Sequence, residues 1–364
     1  MRHMTWFFCL LIGCSAEEEK RTLEPIVVPD DPSEWGVAVG VKTIDYEGER
    51  LEIWYPATSN SKTSSTDRVN FSDFVPASFE AHLDIEDPLP SVPTEAIRDA
   101  DIRLTEGPVP VLIFSHGFGG MRVQSFGLTS HLASRGYVVV APDHPGRMLT
   151  DVLPCLVTPP LDGCDLTGFG GDPAQDDLNT AFDWVQQASE QPEWTKLIDA
   201  ERVGLFGHSA GAGTTAALGE TDERYSALAT MAGGGAVSRD VPVLRMDASC
   251  DGFVASADET VLSTMTDGRF IQILGGGHMA FTDLCELDLG TLADEVIAPR
   301  EDANSALLPQ LRGLAVDGCP GVEPLTNYPE CEEAFLPLSV SDEIVRYHLT
   351  NFFDVVLKGG TDES

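Results

Sequence analysis

Residues 202–218 read Arg-Val-Gly-Leu-Phe-Gly-His-Ser-Ala-Gly-Ala-Gly-Thr-Thr-Ala-Ala-Leu. An apolar run of strand length reaches Phe206. A Gly-x-Ser-x-Gly turn follows (Gly207, His208, Ser209, Ala210, Gly211), and an Ala-rich helix opens at once. Such a segment calls for a sheet in which a strand ends, turns sharply and feeds a helix, with the Ser209 hydroxyl lifted off the end of the sheet. Glycines flank the turn because side chains there would collide with neighbouring backbone. The strand and helix on either side lend weight to a five-residue pattern that is weak alone.

The rest of the chain supplies the sheet. Strands are predicted at Val37–Val41, Leu51–Tyr55, Val109–Ser115, Tyr137–Ala141, Val203–Gly207, Ala227–Met231, Val241–Met246 and Phe270–Leu274. Helices are predicted near 122–135, 175–188, 210–219, 256–265 and 341–357. Short apolar strands alternating with helices imply an α/β fold, a mostly parallel sheet of about eight strands with helices on both faces. Only a turn separates the first two strands, so they are expected to form an antiparallel hairpin at one edge. Three long stretches, 57–107, 146–173 and 298–340, are rich in Pro, Gly and polar residues and read as irregular rims of one domain spanning 34–359.

The strand Val109–Phe114 runs into Ser115-His116-Gly117-Phe118-Gly119-Gly120. A His-Gly-x-Gly turn upstream of the serine can converge backbone N–H groups on a developing alkoxide. The donors expected are the N–H groups of Phe118 and Ala210, with His116 structural. A serine nucleophile needs a base, and the base an acid. Two histidines follow Ser209. His348 falls in a helix with an apolar stripe, whereas His278 sits in a Gly-rich loop directly after a strand, so His278 is the expected base. The acid expected is Asp251, in the loop beyond Pro242–Met246, with Asp247 at the strand end as the alternative.

The N-terminus reads as an export signal. Arg2 precedes a short apolar run, Trp6–Ile12, and Leu11-Ile12-Gly13-Cys14 follows. This resembles the lipobox of bacterial lipoproteins, which implies a signal peptide at 1–13, lipidation of Cys14 and an acidic tether over 14–33. The expected location is outside the cytoplasm, held to a membrane through the lipid alone. Beyond Cys9 and Cys14, six cysteines remain: Cys155, Cys164, Cys250, Cys285, Cys319 and Cys331. An even number in an exported chain suggests disulfides. Spacing favours 155–164 and 319–331, which leaves 250–285, a bridge that would tie the acid loop to the base loop. None has CxxC or zinc-finger spacing, so no metal or redox role is expected of them.

Composition sets the partners. Asp and Glu total 59 against 22 Lys and Arg, a formal charge of −37. Such a chain is repelled by nucleic acid and by anionic surfaces. Its 42% hydrophobic content nonetheless supports a folded core. Its substrates are expected to be neutral, zwitterionic or cationic small molecules or lipids, and no protein partner is implied.

Taken together, Val39-Gly40-Val41-Lys42-Thr43, Ile53-Trp54-Tyr55-Pro56-Ala57, the Phe114–Gly120 turn, Leu132–Ala141, Gly207–Gly211 and the tail Leu349–Gly359 make the chain resemble the α/β-hydrolase superfamily. Within it, the chain is similar to the platelet-activating-factor acetylhydrolase and dienelactone-hydrolase-like group. The resemblance implies cofactor-free hydrolysis of short-chain or lipid esters through an acyl-enzyme. Dienelactone hydrolases use a Cys nucleophile, and this chain has Ser209. In acetylhydrolases the acid can follow the preceding strand, which here ends Met231-Ala232-Gly233-Gly234 without a carboxylate. Alternative readings are a polyester or cutinase-type hydrolase, a serine peptidase or acyltransferase, and a non-catalytic binding lipoprotein.

Overall fold

A computed structural model describes residues 26, 29–59, 66–81, 89–156, 159–169, 173–265, 267–287 and 336–360. The signal at 1–13, Cys14, Cys319, Cys331 and most of 298–340 lie outside these residues.

One ten-stranded sheet organises the described chain. Its strands are β1 (Val39–Tyr46), β2 (Glu49–Pro56), β3 (Thr66–Asn70), β4 (Ser91–Arg98), β5 (Val109–Ser115), β6 (Val138–Pro142), β7 (Ile198–His208), β8 (Ala227–Met231), β9 (Pro242–Ala248) and β10 (Asp267–Ile273). They lie in the order β10-β9-β8-β7-β5-β6-β2-β1-β4-β3. From β6 to β10 every pairing is parallel; β2 pairs antiparallel with both β1 and β6. The α/β-hydrolase fold, a mixed and mostly parallel sheet with helices, is thus the architecture.

The helices are α1 (Ala77–Glu80), α2 (Phe126–Ser134), α3 (Leu149–Val152), α4 (Ala174–Ser189), α5 (Ala210–Thr221), α6 (Glu259–Leu262) and α7 (Leu338–Lys358). All seven residues of β5 are buried, as a central strand covered on both faces requires. Its period-2 alternation divides the core. Leu112 and Phe114 pack on the side of Leu128 and Leu132 of α2 and Leu349 and Phe353 of α7. Val111 and Ile113 face the side of Leu178, Phe182 and Val185 of α4.

The sheet has two strands more than the eight expected. β3 and β4 lie inside 57–107, which reads as irregular from sequence. They escape notice because their inward positions include Asp67, Thr94 and Ala96 instead of large aliphatics. Arg98 makes that burial tolerable by pairing with Asp67 (2.8 Å) and Glu52 (2.6 Å). The helix expected over 256–265 contracts to one turn, with the Asp258 side chain capping Thr260 and Val261 N–H groups.

Cysteine pairing needs one correction. Cys155 and Cys164 are bridged. Cys250 and Cys285 are each disulfide-bonded, but no Cys250–Cys285 bridge is present among the described residues. The acid and base loops are joined there by hydrogen bonds instead: Cys250 N–H to Gly276 O (2.9 Å), Ser249 N–H to Ile273 O (3.0 Å) and Gly275 N–H to Ser249 Oγ (2.9 Å). Among the described residues no helix is long and apolar enough to cross a membrane, and no group of His, Cys, Asp or Glu could hold a metal ion.

Candidate active site

Ser209 stands between β7 and α5 with φ 57° and ψ −119°, a conformation that non-glycine residues rarely adopt. Its neighbours enforce this bend. Ser209 N–H donates to Met231 O at the end of β8 (2.9 Å). A Cβ at Gly207 would fall 2.4 Å from Gly211 O, and one at Gly211 would fall 2.0 Å from Ser115 O. Both glycines are therefore demanded by backbone packed against backbone. The strained turn leaves Ser209 partly exposed at the strand end.

The expected acid and base meet in space. His278 Nδ1 lies 2.8 Å from Asp251 Oδ2. Asp251 Oδ1 accepts N–H bonds from Phe253 and Val254, both 2.8 Å, so the carboxylate is held at both oxygens. The ionised acid accepts, hence Nδ1 carries the imidazole proton and Nε2 keeps a lone pair. Phe253 stacks on the His278 ring with centroids 4.9 Å apart, and the His208 ring lies 4.7 Å from it on the preceding residue of the serine turn. A Ser209 Oγ–His278 hydrogen bond is not among those described; such bonds often close only when substrate arrives.

Asp247, the alternative acid, is engaged elsewhere. It is buried within β9, pairs with Arg245 at 2.6 Å and accepts the Ala257 N–H at 2.7 Å. His348 lies on α7 against Tyr347. His116 is fully buried, its Nδ1 against Gly117 O, and burial, then Arg147, pushes its pKa down to about 3. A histidine held neutral there serves structure.

The Gly-rich turn after β5 sits beside the serine. A Cβ at Gly117 would be 3.3 Å from Ser209 Cβ. Gly119 N–H donates to Arg147 O (2.7 Å) and Gly120 N–H to Gly117 O (3.1 Å). Arg147 is buried and donates from Nη2 to Ser115 Oγ (3.0 Å) and His116 O (3.2 Å), and from Nη1 to Thr214 Oγ1 on α5 (3.1 Å). It thus pins the turn to the helix that follows Ser209. Ala210 opens α5, where early N–H groups lack intrahelical acceptors.

Sequence reasoning missed Arg147 and a second serine–histidine–aspartate line beneath the turn. Ser115 Oγ lies 2.9 Å from His144 Nε2, and His144 Nδ1 lies 2.8 Å from Asp177 Oδ2. All three are buried. Burial drives the His144 pKa well down, and burial with Glu49 drives the Asp177 carboxyl up. Ser115 is shut inside β5, so this line braces the turn. The Asp-His-x-Gly stretch at 143–146 was the one sequence cue to it.

Two cavities of about 300 and 260 Å³ lie elsewhere, one lined by Asp283, Asp342 and Arg346 among others, the other by Glu52, Asp67 and Arg98 among others. Ser209, Asp251 and His278 line neither.

Comparison with known proteins agrees with this architecture. Residues 42–150 match a family model described as platelet-activating factor acetylhydrolase, isoform II, and residues 110–267 match one described as alpha/beta hydrolase fold. Among solved structures, a ferulic acid esterase from Streptomyces cinnamoneus is similar at a TM-score of 0.57 and 20% identity, over 90% of this chain and 92% of that one. At that identity the likeness is one of fold. No curated protein matches the chain.

Proposed function

We propose that the chain is a serine carboxylic-ester hydrolase that acts on short-chain or lipid esters. The observation that carries the reading is the Asp251–His278 hydrogen bond, with the His278 ring packed against His208, the residue before a serine held at φ 57° in a strand-to-helix turn. In this reading Ser209 Oγ attacks the ester carbonyl carbon while His278 Nε2 takes its proton, and Asp251 stabilises the charged imidazole. The alkoxide collects the N–H groups of Phe118 and Ala210. Its collapse breaks the bond to the leaving alkoxide, which receives the proton from His278. Water then gives a proton to the same nitrogen as its oxygen attacks the acyl carbon; collapse breaks the bond to Ser209 Oγ, which takes that proton back, and the carboxylic acid leaves.

The partial match to the platelet-activating factor acetylhydrolase model supports lipid or short acyl esters. The fold likeness to a ferulic acid esterase makes aromatic acid esters worth including in a test. The formal charge of −37 favours uncharged, zwitterionic or cationic substrates over anionic ones. Export and attachment through a lipid on Cys14 belong to the same proposal; Cys14→Ser is expected to release the protein from the membrane fraction.

A panel of p-nitrophenyl esters of rising chain length, a glycerophosphocholine acetyl ester, a feruloyl ester and a peptide amide tests the reading. Turnover of the short esters, lost in Ser209→Ala, is expected. Peptide cleavage without ester turnover, or no turnover at all, would contradict it.

A further inference from the structure

Gln124 is 1% exposed and joins two turns that come from distant parts of the chain. Its Oε1 accepts the N–H of Gly117 at 3.0 Å, the residue directly before Phe118. Its Nε2 lies 3.0 Å from Nδ1 of His208, in the serine turn. His208 Nε2 in turn lies 2.9 Å from the backbone oxygen of His278. A carbonyl oxygen only accepts, so His208 Nε2 carries the proton and Nδ1 is the acceptor. Only the amide NH2 of Gln124 can donate to that nitrogen, which turns Oε1 towards Gly117. One consistent direction therefore runs from Gly117 N–H through Gln124 and His208 to His278 O. Burial supports it by pushing the His208 pKa well down, so the ring stays neutral.

The turn is shaped around this amide. A Cβ at Gly120 would fall 2.2 Å from Gln124 Oε1, and one at Gly117 would meet His208 Nδ1 at 3.3 Å. The Gln124 main chain reaches the base side as well, since its carbonyl accepts the Asp283 N–H at 3.1 Å.

We propose that Gln124 is a positioning residue for hydrolysis: through Gly117 it aims the Phe118 N–H at the oxyanion, and through His208 it keeps that aim in register with His278. This rests on the serine-hydrolase reading above. Gln124 touches no reacting atom; it acts on the transition state through the donors it orients. One oxyanion donor is worth roughly 10²–10³-fold in kcat in a serine protease. A donor left misaimed forfeits part of that, so a loss of about 10–100-fold in kcat is expected, with KM nearly unchanged.

The test uses the full chain with Gln124→Met, which matches the side chain in length and removes both polar ends, and Gln124→Asn, which keeps the amide but is too short to span both partners. On the best ester of the panel, both are expected to lose about 10–100-fold in kcat with KM within about threefold. Their rates of labelling by a fluorophosphonate, whose attack also forms an oxyanion, should fall in parallel. A kcat within about twofold of the parent in either folded variant overturns the proposal, as does a loss carried by KM. Should Gln124→Met fail to melt cooperatively, Gln124→Asn decides alone by the same criteria. If the parent itself neither turns over esters nor labels at Ser209, the serine-hydrolase reading falls and takes this proposal with it; an active parent with indifferent variants defeats this proposal only.

Discussion

His278 Nδ1 and Asp251 Oδ2 are 2.8 Å apart, and the other oxygen of the same carboxylate is held by two backbone N–H groups. The loop after β9 thus presents its acid in one orientation, and that orientation dictates which imidazole nitrogen is left with a lone pair.

Two aspartates four residues apart should consequently behave in opposite ways. Asp251→Asn retains the Oδ1 acceptor but offers an NH2 to His278, which favours the wrong tautomer. A loss on the order of 10⁴-fold in kcat is expected, as for the corresponding change in a serine protease, with little change in Tm. Asp247→Asn instead weakens the buried pair with Arg245 and should chiefly lower stability; stranding a buried charge costs on the order of 3–5 kcal/mol. Steady-state kinetics and thermal melts on both variants separate the roles.

Glycines in α5 should divide as sharply. At Gly211 an added Cβ meets backbone oxygens of Ser115 at 2.0 Å and His116 at 2.6 Å, neither of which can swing away. Gly211→Ala should destabilise by at least about 1–3 kcal/mol and disturb the turn after β5. Two residues on, Gly213 has nothing within 4 Å of an added Cβ. Gly213→Ala should stabilise by up to about 1 kcal/mol through helix propensity. Denaturant titration of both reads the contrast.

Asp283 supplies a pH dependence of known sign. Its Oδ2 accepts the Gly127 N–H at 2.8 Å, and burial pushes its pKa up to about 7. Between the ordinary carboxylate range and about pH 7 the folded state keeps a proton that the unfolded chain has released. The folded state binds more protons there, so stability falls as pH rises through that window. Asp283→Asn keeps the neutral acceptor and removes the titration. Its Tm should decline less between pH 5 and pH 8 than that of the parent, on a scale of roughly 2–4 °C per kcal/mol for a mid-sized domain. Equal declines would contradict the assignment.

How much could be read in advance depended on whether a residue's role was local. The strand, turn and helix around Ser209 lie within one continuous stretch, Ile198–Thr221, and the geometry of that turn follows from its two glycines. Asp251 and His278 stand in loops just beyond strands, where order along the chain and position at the sheet edge single them out. Gln124 and His208 could not be found that way. They are 84 residues apart, and nothing in their own neighbourhoods marks a pair that meets only after folding. β3 and β4 were hidden because their inward faces carry Asp67 and Thr94, residues that can be buried only with Arg98 or local partners to satisfy them. Disulfide pairing was legible only where it is local: spacing pointed to Cys155–Cys164, but it says nothing about which distant loops the sheet brings together.

In the proposed mechanism Ser209, and no other serine, is the nucleophile. Peptide mapping by mass spectrometry after exposure to a fluorophosphonate tests it most directly, because Ser115 has a histidine and an aspartate in line behind it but lies shut inside β5. One adduct per chain is expected, on Ser209, abolished in Ser209→Ala and slowed in Asp251→Asn. An adduct on Ser115, or none on a folded protein, would contradict it.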